Sequence, residues 1–309
     1  MSERISESIL HRWGRTAVAA NISFLLFNGP VQWKMQIMLQ NNFVLRVVSA
    51  LVLAPCVIGA AYVGGLFFAL FWGLVSGAIL WEWTTLVSRG SKIDLLIPKI
   101  ATALVIVLLG YAYGGAAVAI PIVGFAVLAG AILGPRAHRV WIGAGVAYSG
   151  ALLVSVLLLR SDAEFGFYSF VFLFAVVWST ENAGYFVGKA IGGPKLARSI
   201  SPNKTWSGAV AGLIGGALAA AIVLPTFGTQ NTFISCALGC LLSVAAQMGD
   251  LLESALKRRF AAKDTSSLIP GHGGAMDRFD GFWSVTIVAI IIGAARGGFV
   301  SPAKGLLLW

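Results

Sequence analysis

Asp250-Leu-Leu-Glu253-Ser254-Ala-Leu-Lys257-Arg258-Arg259-Phe-Ala-Ala-Lys263-Asp264-Thr-Ser-Ser-Leu-Ile-Pro270-Gly271-His272-Gly273-Gly274-Ala-Met-Asp277-Arg278-Phe-Asp280 is a polar stretch caught between two apolar ones. It carries five basic and five acidic residues in a chain where charged residues make up 11%. The runs on either side, 232–252 and 281–300, match the roughly 20 apolar residues that cross a bilayer. The stretch therefore reads as a loop held at a membrane edge between two spanning helices.

The rest of the chain supports that reading. With 58% hydrophobic residues and 37 glycines in 309 residues, and a mean hydropathy of +0.86, no soluble core could absorb the apolar surface. Glycines suit close helix approach in lipid. The expected fold is all-α and polytopic, with about nine transmembrane helices near 43–61, 63–87, 95–113, 115–134, 140–160, 166–188, 207–225, 232–252 and 281–300. Residues 43–309 form one transmembrane domain with polar loops at 189–206 and 253–280. Residues 1–42 form an N-terminal extension whose apolar run, Thr16 to Val31, is short for a span and broken by Asn21, Asn28 and Pro30. It reads as an interfacial or loosely packed helix, with a tenth span left open, and it lacks the small-residue cleavage pattern of a signal peptide.

The net charge of +10 has a membrane explanation that needs no nucleic acid. With nine spans, every Lys and Arg except Arg160, Arg296 and Lys304 falls on one side, out of 22 in all. Positive residues accumulate in cytoplasmic loops, so that side, with both long polar loops, is expected to face the cytoplasm. Cys56, Cys236 and Cys240 are odd in number and lie in apolar runs, which argues against a disulfide framework.

If helical, Asp250, Glu253, Ser254 and Lys257 stand at i, i+3, i+4 and i+7 and form one stripe. An acidic residue on the last turns of a membrane helix is costly unless paired, hydrated or holding a cation. A salt bridge from Asp250 or Glu253 to Lys257 is the plain reading. Asp277 and Asp280 open the following span, where either one can cap the helix N-terminus. With Asp250 arriving from the neighbouring helix end, they would also make an oxygen-rich pocket of the kind Mg2+ favours. Gly271, Gly273 and Gly274 permit unusual backbone angles, and their N–H groups can cradle phosphate. Glu181 lies two turns before the end of its span. In the upstream loop, Lys204 beside Ser201, Asn203 and Thr205 can grip a phosphate as a point charge with hydroxyl help.

Ser254-x-Leu256-Lys257-Arg258-x4-Lys263-Asp264-x-Ser266-x2-Ile269-Pro270-x-His272-Gly273-Gly274-x2-Asp277-Arg278-Phe279-Asp280 resembles the signature of phosphatidate cytidylyltransferases (CDP-diacylglycerol synthases). The Gly249-Asp250-Leu251 lead-in and Ser201-Pro202-Asn203-Lys204-Thr205 are also typical of that family. The resemblance covers roughly residues 43–300. Departures are Glu181 where the family usually shows Asp, Ser207 where Glu often follows, and Ala275 in place of a larger aliphatic residue.

The resemblance implies transfer of CMP from CTP to phosphatidate, giving CDP-diacylglycerol and pyrophosphate with Mg2+. A second cation is left open. It also implies a bacterial-type inner membrane and a homodimer. Asp250 and Asp277 are the leading metal ligands, with Asp280 and Glu181 as candidates. Lys204, Lys257, Arg258, Lys263 and Arg278 are candidates for phosphate neutralisation, and the Gly273-Gly274 backbone for a phosphate cradle. Ser201, Asn203, Thr205 and Ser254 are further substrate-binding candidates. Asp264 and His272 join the catalytic set, His272 without an assigned role. A CTP-dependent lipid kinase is the nearest alternative. A secondary transporter is disfavoured, because transporters place charged sites near the bilayer midplane.

Overall fold

The described apolar runs of the chain form helices, some of them capped by side chains at their first turn. In the computed structural model, residues 51–88, 116–133, 137–269 and 273–309 are described. The helices are α1 (Leu51–Val63), α2 (Gly65–Ser88), α3 (Ala116–Leu133), α4 (Arg139–Arg160) and α5 (Gly166–Ile191). After them come strands β1 (Lys195–Ala197) and β2 (Ser201–Thr205). The chain closes with α6 (Trp206–Val223) and a 3-10 turn, α7 (Thr232–Arg259), α8 (Met276–Gly297) and the short α9 (Pro302–Leu307). Leu53–Trp309 form one compact unit.

Among the described residues, six helices are long and apolar enough to cross a membrane: α2, α4, α5, α6 with its 3-10 turn, α7 and α8. Leu51–Val63 and Ile120–Ile132 are apolar but shorter. The expected 95–113 span and the 1–42 extension lie outside the described residues, so the count of nine spans is not reproduced.

Two expectations about the loops need correction. The supposed loop 253–280 is partly helical, because α7 continues to Arg259 and α8 already begins at Met276. At 28 residues, α7 is about 42 Å long, against a hydrocarbon layer of about 30 Å. Its charged last turns therefore project past the apolar layer. The 189–206 loop holds an antiparallel β1–β2 hairpin, a small strand element in a chain expected to be all-α.

Local chemistry sets the boundaries. Thr205 Oγ1 accepts the Gly208 N–H at 3.2 Å and caps α6. Asn231 Oδ1 accepts the Ile234 N–H at 3.2 Å and caps α7. Asp162 Oδ1 accepts the Glu164 and Phe165 N–H groups at 3.1 and 2.8 Å in the tight turn between α4 and α5.

Lipid tails give no hydrophobic drive between helices, so packing and interhelical hydrogen bonds must hold the bundle. Trp72 of α2 and Phe174 of α5 both stack on Phe282 of α8, at 5.5 and 4.5 Å between ring centroids. Tyr148 of α4 stacks on Trp283 of α8 at 4.2 Å, and Trp283 Nε1 donates to Tyr148 O at 2.8 Å. Gly239 lets α7 approach α6, since a Cβ there would lie 2.5 Å from Gly216 O and 2.7 Å from Ala220 Cβ. Gly239→Val is expected to cost about 1–3 kcal/mol by overpacking, read as a lower Tm in detergent micelles. Gly59→Ala is the control, because its added methyl would meet no described residue within 4 Å.

These contacts sort the helix ends into two groups. Trp141, near the start of α4, packs against Phe260 after α7, and Glu82 near the end of α2 meets the start of α8. The far ends hold Arg160, which donates to Ala61 O at 2.6 Å, and Arg296, which donates to Gly305 O at 2.5 Å and Leu308 O at 2.7 Å. Two of the three basic residues that the charge pattern separates from the rest thus sit at the ends away from the polar stretch. They satisfy helix-terminal carbonyls there.

Candidate active site

At the polar end, α5, the hairpin, α6, α7 and α8 surround a cavity of about 930 Å³. Glu181, Asn203, Lys204, Thr205, Asp250, Lys257, Asp264, Asp277, Arg278 and Asp280 all line it, as do Lys189, Lys195, Gln247 and Glu253. Residues far apart in sequence meet here because α7 delivers its charged last turns beside the first turn of α8. Ser201, Ser254, Arg258, Lys263, Gly273 and Gly274 do not line the cavity. His272 lies outside the described residues.

The carboxylates divide into two sets. Asp250, Glu253 and Asp280 each present an oxygen within 4.8 Å of the others. Glu253 is buried, and among the described residues its Oε1 has no hydrogen-bond partner. A buried, unsatisfied carboxylate oxygen is rare in a folded protein unless something else supplies its partner. This donor set of hard oxygens fits a divalent cation. Asp280 Oδ1 also accepts the Gly281 N–H at 2.7 Å. Lys204 forms an ion pair with Asp250, and Ser254 Oγ donates to Asp250 Oδ1 at 3.4 Å.

Asp277 is engaged differently. Its Oδ1 meets Lys257 Nζ at 2.6 Å. Its Oδ2 accepts the Thr265 N–H at 3.0 Å and the Gly274 N–H at 2.8 Å, and lies 2.9 Å from Thr265 Oγ1. Lys257 Nζ meets Glu253 Oε2 at 2.6 Å as well, so one ammonium bridges carboxylates on α7 and α8. The plain i, i+4 salt bridge holds for Glu253, while Asp250 turns to Lys204 instead. Asp277 also acts as a cap, reaching back to an amide just before its own helix.

Several expected roles change with this geometry. The amides of Gly273 and Gly274 are not free for phosphate. Gly273 N–H donates to Ile269 O at 3.1 Å and Gly274 N–H to Asp277. Gly273 instead supplies a φ of +84° at the bridge with Ile269 that closes the loop, a conformation only glycine adopts easily. Arg258 ties the hairpin to the end of α7, its Nε donating to Ile200 O at 3.2 Å. Lys263 is exposed. Glu181 Oε1 lies 3.3 Å from where a Cβ on Gly281 would stand, so it reaches the start of α8 beside Asp280. Ser207 Oγ donates to Gly192 O and lies 3.0 Å from Thr205 Oγ1, which latches the hairpin to the end of α5.

Sequence reasoning set Glu253 on the α7 stripe and in a salt bridge with Lys257 but not among the metal ligands, and it missed Glu82. Glu253 stands one turn after Asp250 on the same stripe, and that spacing was its signal. Glu82, inside an apolar helix, had none beyond being a lone acid in a span. Tyr185, Phe186 and Trp206 are exposed at this end, where aromatic side chains suit a membrane interface.

Comparison with known proteins agrees with the geometry. Residues 44–295 match the family described as "Cytidylyltransferase family". Phosphatidate cytidylyltransferase of Brucella suis biovar 1 (strain 1330) is 41% identical over 265 residues, covering 82% of this chain and 94% of that protein. The enzyme of the same name from Rickettsia bellii (strain RML369-C) is 37% identical over 146 residues, covering 45% of this chain and 62% of that protein. That of Bacillus subtilis (strain 168) is 40% identical over 136 residues, covering 44% and 51%. With a family match across most of its length, and a bundle of apolar helices ending in an acidic and basic cavity, this chain belongs to the cytidylyltransferase family.

Proposed function

We propose that the protein is a phosphatidate cytidylyltransferase, joining CTP and phosphatidate to give CDP-diacylglycerol and pyrophosphate. One observation carries the reading: three carboxylates, one with a buried oxygen that no described residue partners, face a cavity that also holds Lys189, Lys195, Lys204 and Arg278. The names of the relatives support the choice of substrates.

An oxygen of the lipid phosphate attacks the α-phosphorus of CTP. The bond from that phosphorus to the oxygen bridging to the β-phosphate breaks, and pyrophosphate leaves with the electron pair. A phosphate monoester is already anionic near neutral pH, so the chain needs little general-base help. Its task is to hold two like-charged reactants together. Asp250, Glu253 and Asp280 would hold Mg2+, which supplies Lewis-acid neutralisation of phosphate oxygens. Lys204, Lys189, Lys195 and Arg278 neutralise phosphate from the other walls. Lys257 and Asp277 keep the ligand-bearing helix ends in register, and Glu181 and Asp264 complete the acidic rim. Ser254 acts from outside the cavity lining through Asp250, and Arg258 through the hairpin, while Ser201 and the exposed Lys263 are carried as substrate-binding candidates on the family resemblance.

Acyl chains must stay in hydrocarbon while the headgroup meets water-soluble CTP, so the site belongs at a leaflet boundary. The distribution of Lys and Arg supports a cytoplasmic-facing site, and an inner membrane is carried on the family resemblance. Residues 43–309 are proposed as the catalytic domain and 1–42 as an extension. A homodimer is carried on the family resemblance alone.

CTP labelled at the α-phosphate tests the reaction. Purified protein with phosphatidate and Mg2+ is expected to retain the label in the lipid fraction and release unlabelled pyrophosphate. A CTP-dependent lipid kinase would pass only γ-label to lipid, and that result would replace the reading.

A further inference from the structure

Glu82 has no place in the reaction described so far and does not line the cavity. It is nonetheless fully buried, at 0% exposure, near the end of α2. Among the described residues, four donors converge on its carboxylate. Oε1 accepts Ser266 Oγ at 2.6 Å and the Ala275 N–H at 2.8 Å. Oε2 accepts the Met276 N–H at 2.7 Å and lies 3.2 Å from Thr265 Oγ1. All four partners come from the segment 265–276, more than 180 positions away in sequence.

The first amides of a helix have no intrahelical acceptor. Ala275, at the N-cap of α8, has no side-chain oxygen to serve them. Glu82 serves them from another helix, where its negative charge also suits the positive end of α8. Thr265 links this contact to the site, because its hydroxyl stands between Glu82 Oε2 and Asp277 Oδ2 at 3.2 and 2.9 Å. Holding one hydrogen, that hydroxyl donates to one carboxylate at a time. Gly274 leaves the room for this arrangement, since a Cβ there would fall 2.1 Å from Thr265 Oγ1 and 2.6 Å from Glu82 Oε1.

We propose that Glu82 is a positioning residue, anchoring Thr265, Ser266 and the first turn of α8 to α2, so that Asp280 is held against Asp250 and Glu253. The inference rests on the cytidylyltransferase reading for its activity arm only. Asp280 is one turn into α8 and borrows its placement from the helix start. A misplacement of about 1 Å in a catalytic constellation can cost 10²-fold in rate.

The test compares wild type with Glu82→Gln and Ser266→Ala. A glutamine has one acceptor oxygen and a donor amide, so it cannot receive all four donors. In Glu82→Gln, kcat is expected to fall about 30- to 100-fold with KM for CTP within about threefold, since nothing touching nucleotide is removed. The Mg2+ concentration for half-maximal rate is expected to rise. Hydrogen exchange without CTP or Mg2+ is expected to quicken at least about tenfold across 265–276 and to stay unchanged in the aromatic core of α2, α5 and α8. Ser266→Ala removes one donor and is expected to move the same readouts in the same direction by about three- to tenfold; it decides the matter if Glu82→Gln does not fold. Folded variants with wild-type kcat and Mg2+ dependence, whatever their Tm, overturn the proposal. So does unchanged exchange in 265–276. Wild-type protein inactive on phosphatidate would instead remove the substrate assignment, and the exchange measurement would still decide whether Glu82 holds the loop.

Discussion

Asp280→Asn is expected to lower kcat for cytidylyl transfer by about 10²- to 10³-fold, the scale for removing one preorganised electrostatic group from a transition state. It is also expected to leave the metal-free protein as stable as wild type or more so. The opposite signs share one cause. Asp280 is nearly buried, and its oxygen sits within 4.8 Å of Asp250 and Glu253 oxygens. Without a cation, three carboxylates so close repel one another, and an amide relieves that repulsion while weakening the cation site. Tm measured in micelles should rise with added Mg2+ for wild type and much less for Asp280→Asn, because a ligand stabilises only the state that binds it. Full turnover by Asp280→Asn in the α-label assay would show that the cluster is not the reaction centre. Asp250→Asn is the contrasting variant. It loses activity similarly, but it strands Lys204, so no stabilisation is expected.

Lys257→Met should be the most destabilising single change at the site, by about 3–5 kcal/mol. Lys257 was expected to neutralise phosphate, yet its ammonium lies 2.6 Å from both Glu253 Oε2 and Asp277 Oδ1. Its side chain is 13% exposed, against 1% for Glu253 and 6% for Asp277, so solvent screens these pairs poorly. Removing the lysine leaves two buried carboxylates facing each other across α7 and α8. A lysine that only bound phosphate would raise KM for CTP and leave Tm alone. Adding Glu253→Gln to Lys257→Met should recover part of the lost stability, since one stranded charge then disappears. A double mutant no more stable than the single one would refute the bridging role, because residues sharing a charge network are not additive.

Much of this molecule is readable in one dimension. A bilayer demands long apolar helices, so composition and run length yield the class and locate α4, α5 and α6 to within a few residues, along with the start of α7. Helical spacing alone puts Asp250, Glu253 and Lys257 on one stripe, and the fixed motif through Asp280 identifies the family. The sequence view fell short where a polar segment could be either loop or helix. Residues 253–259 and 276–280 continue helices, because caps and a salt bridge satisfy them there, and hydropathy cannot see those partners. It also fell short on the glycines. Their free conformations were legible, but not that their amides would already be spent on Ile269 O and Asp277.

Composition and the order of residues decide that this chain enters a membrane, which stretch stays polar, and which reaction family it joins, because those properties depend on local chemistry summed along the chain. Packing in three dimensions decides the division of labour among the acids. Glu253 joins Asp250 and Asp280, Asp277 is held by Lys257 and Thr265, and Glu82 reaches α8 from a helix nearly two hundred residues earlier. Hydrogen bonds and ion pairs act over about 3 Å, so a carboxylate's role depends on what folding brings beside it.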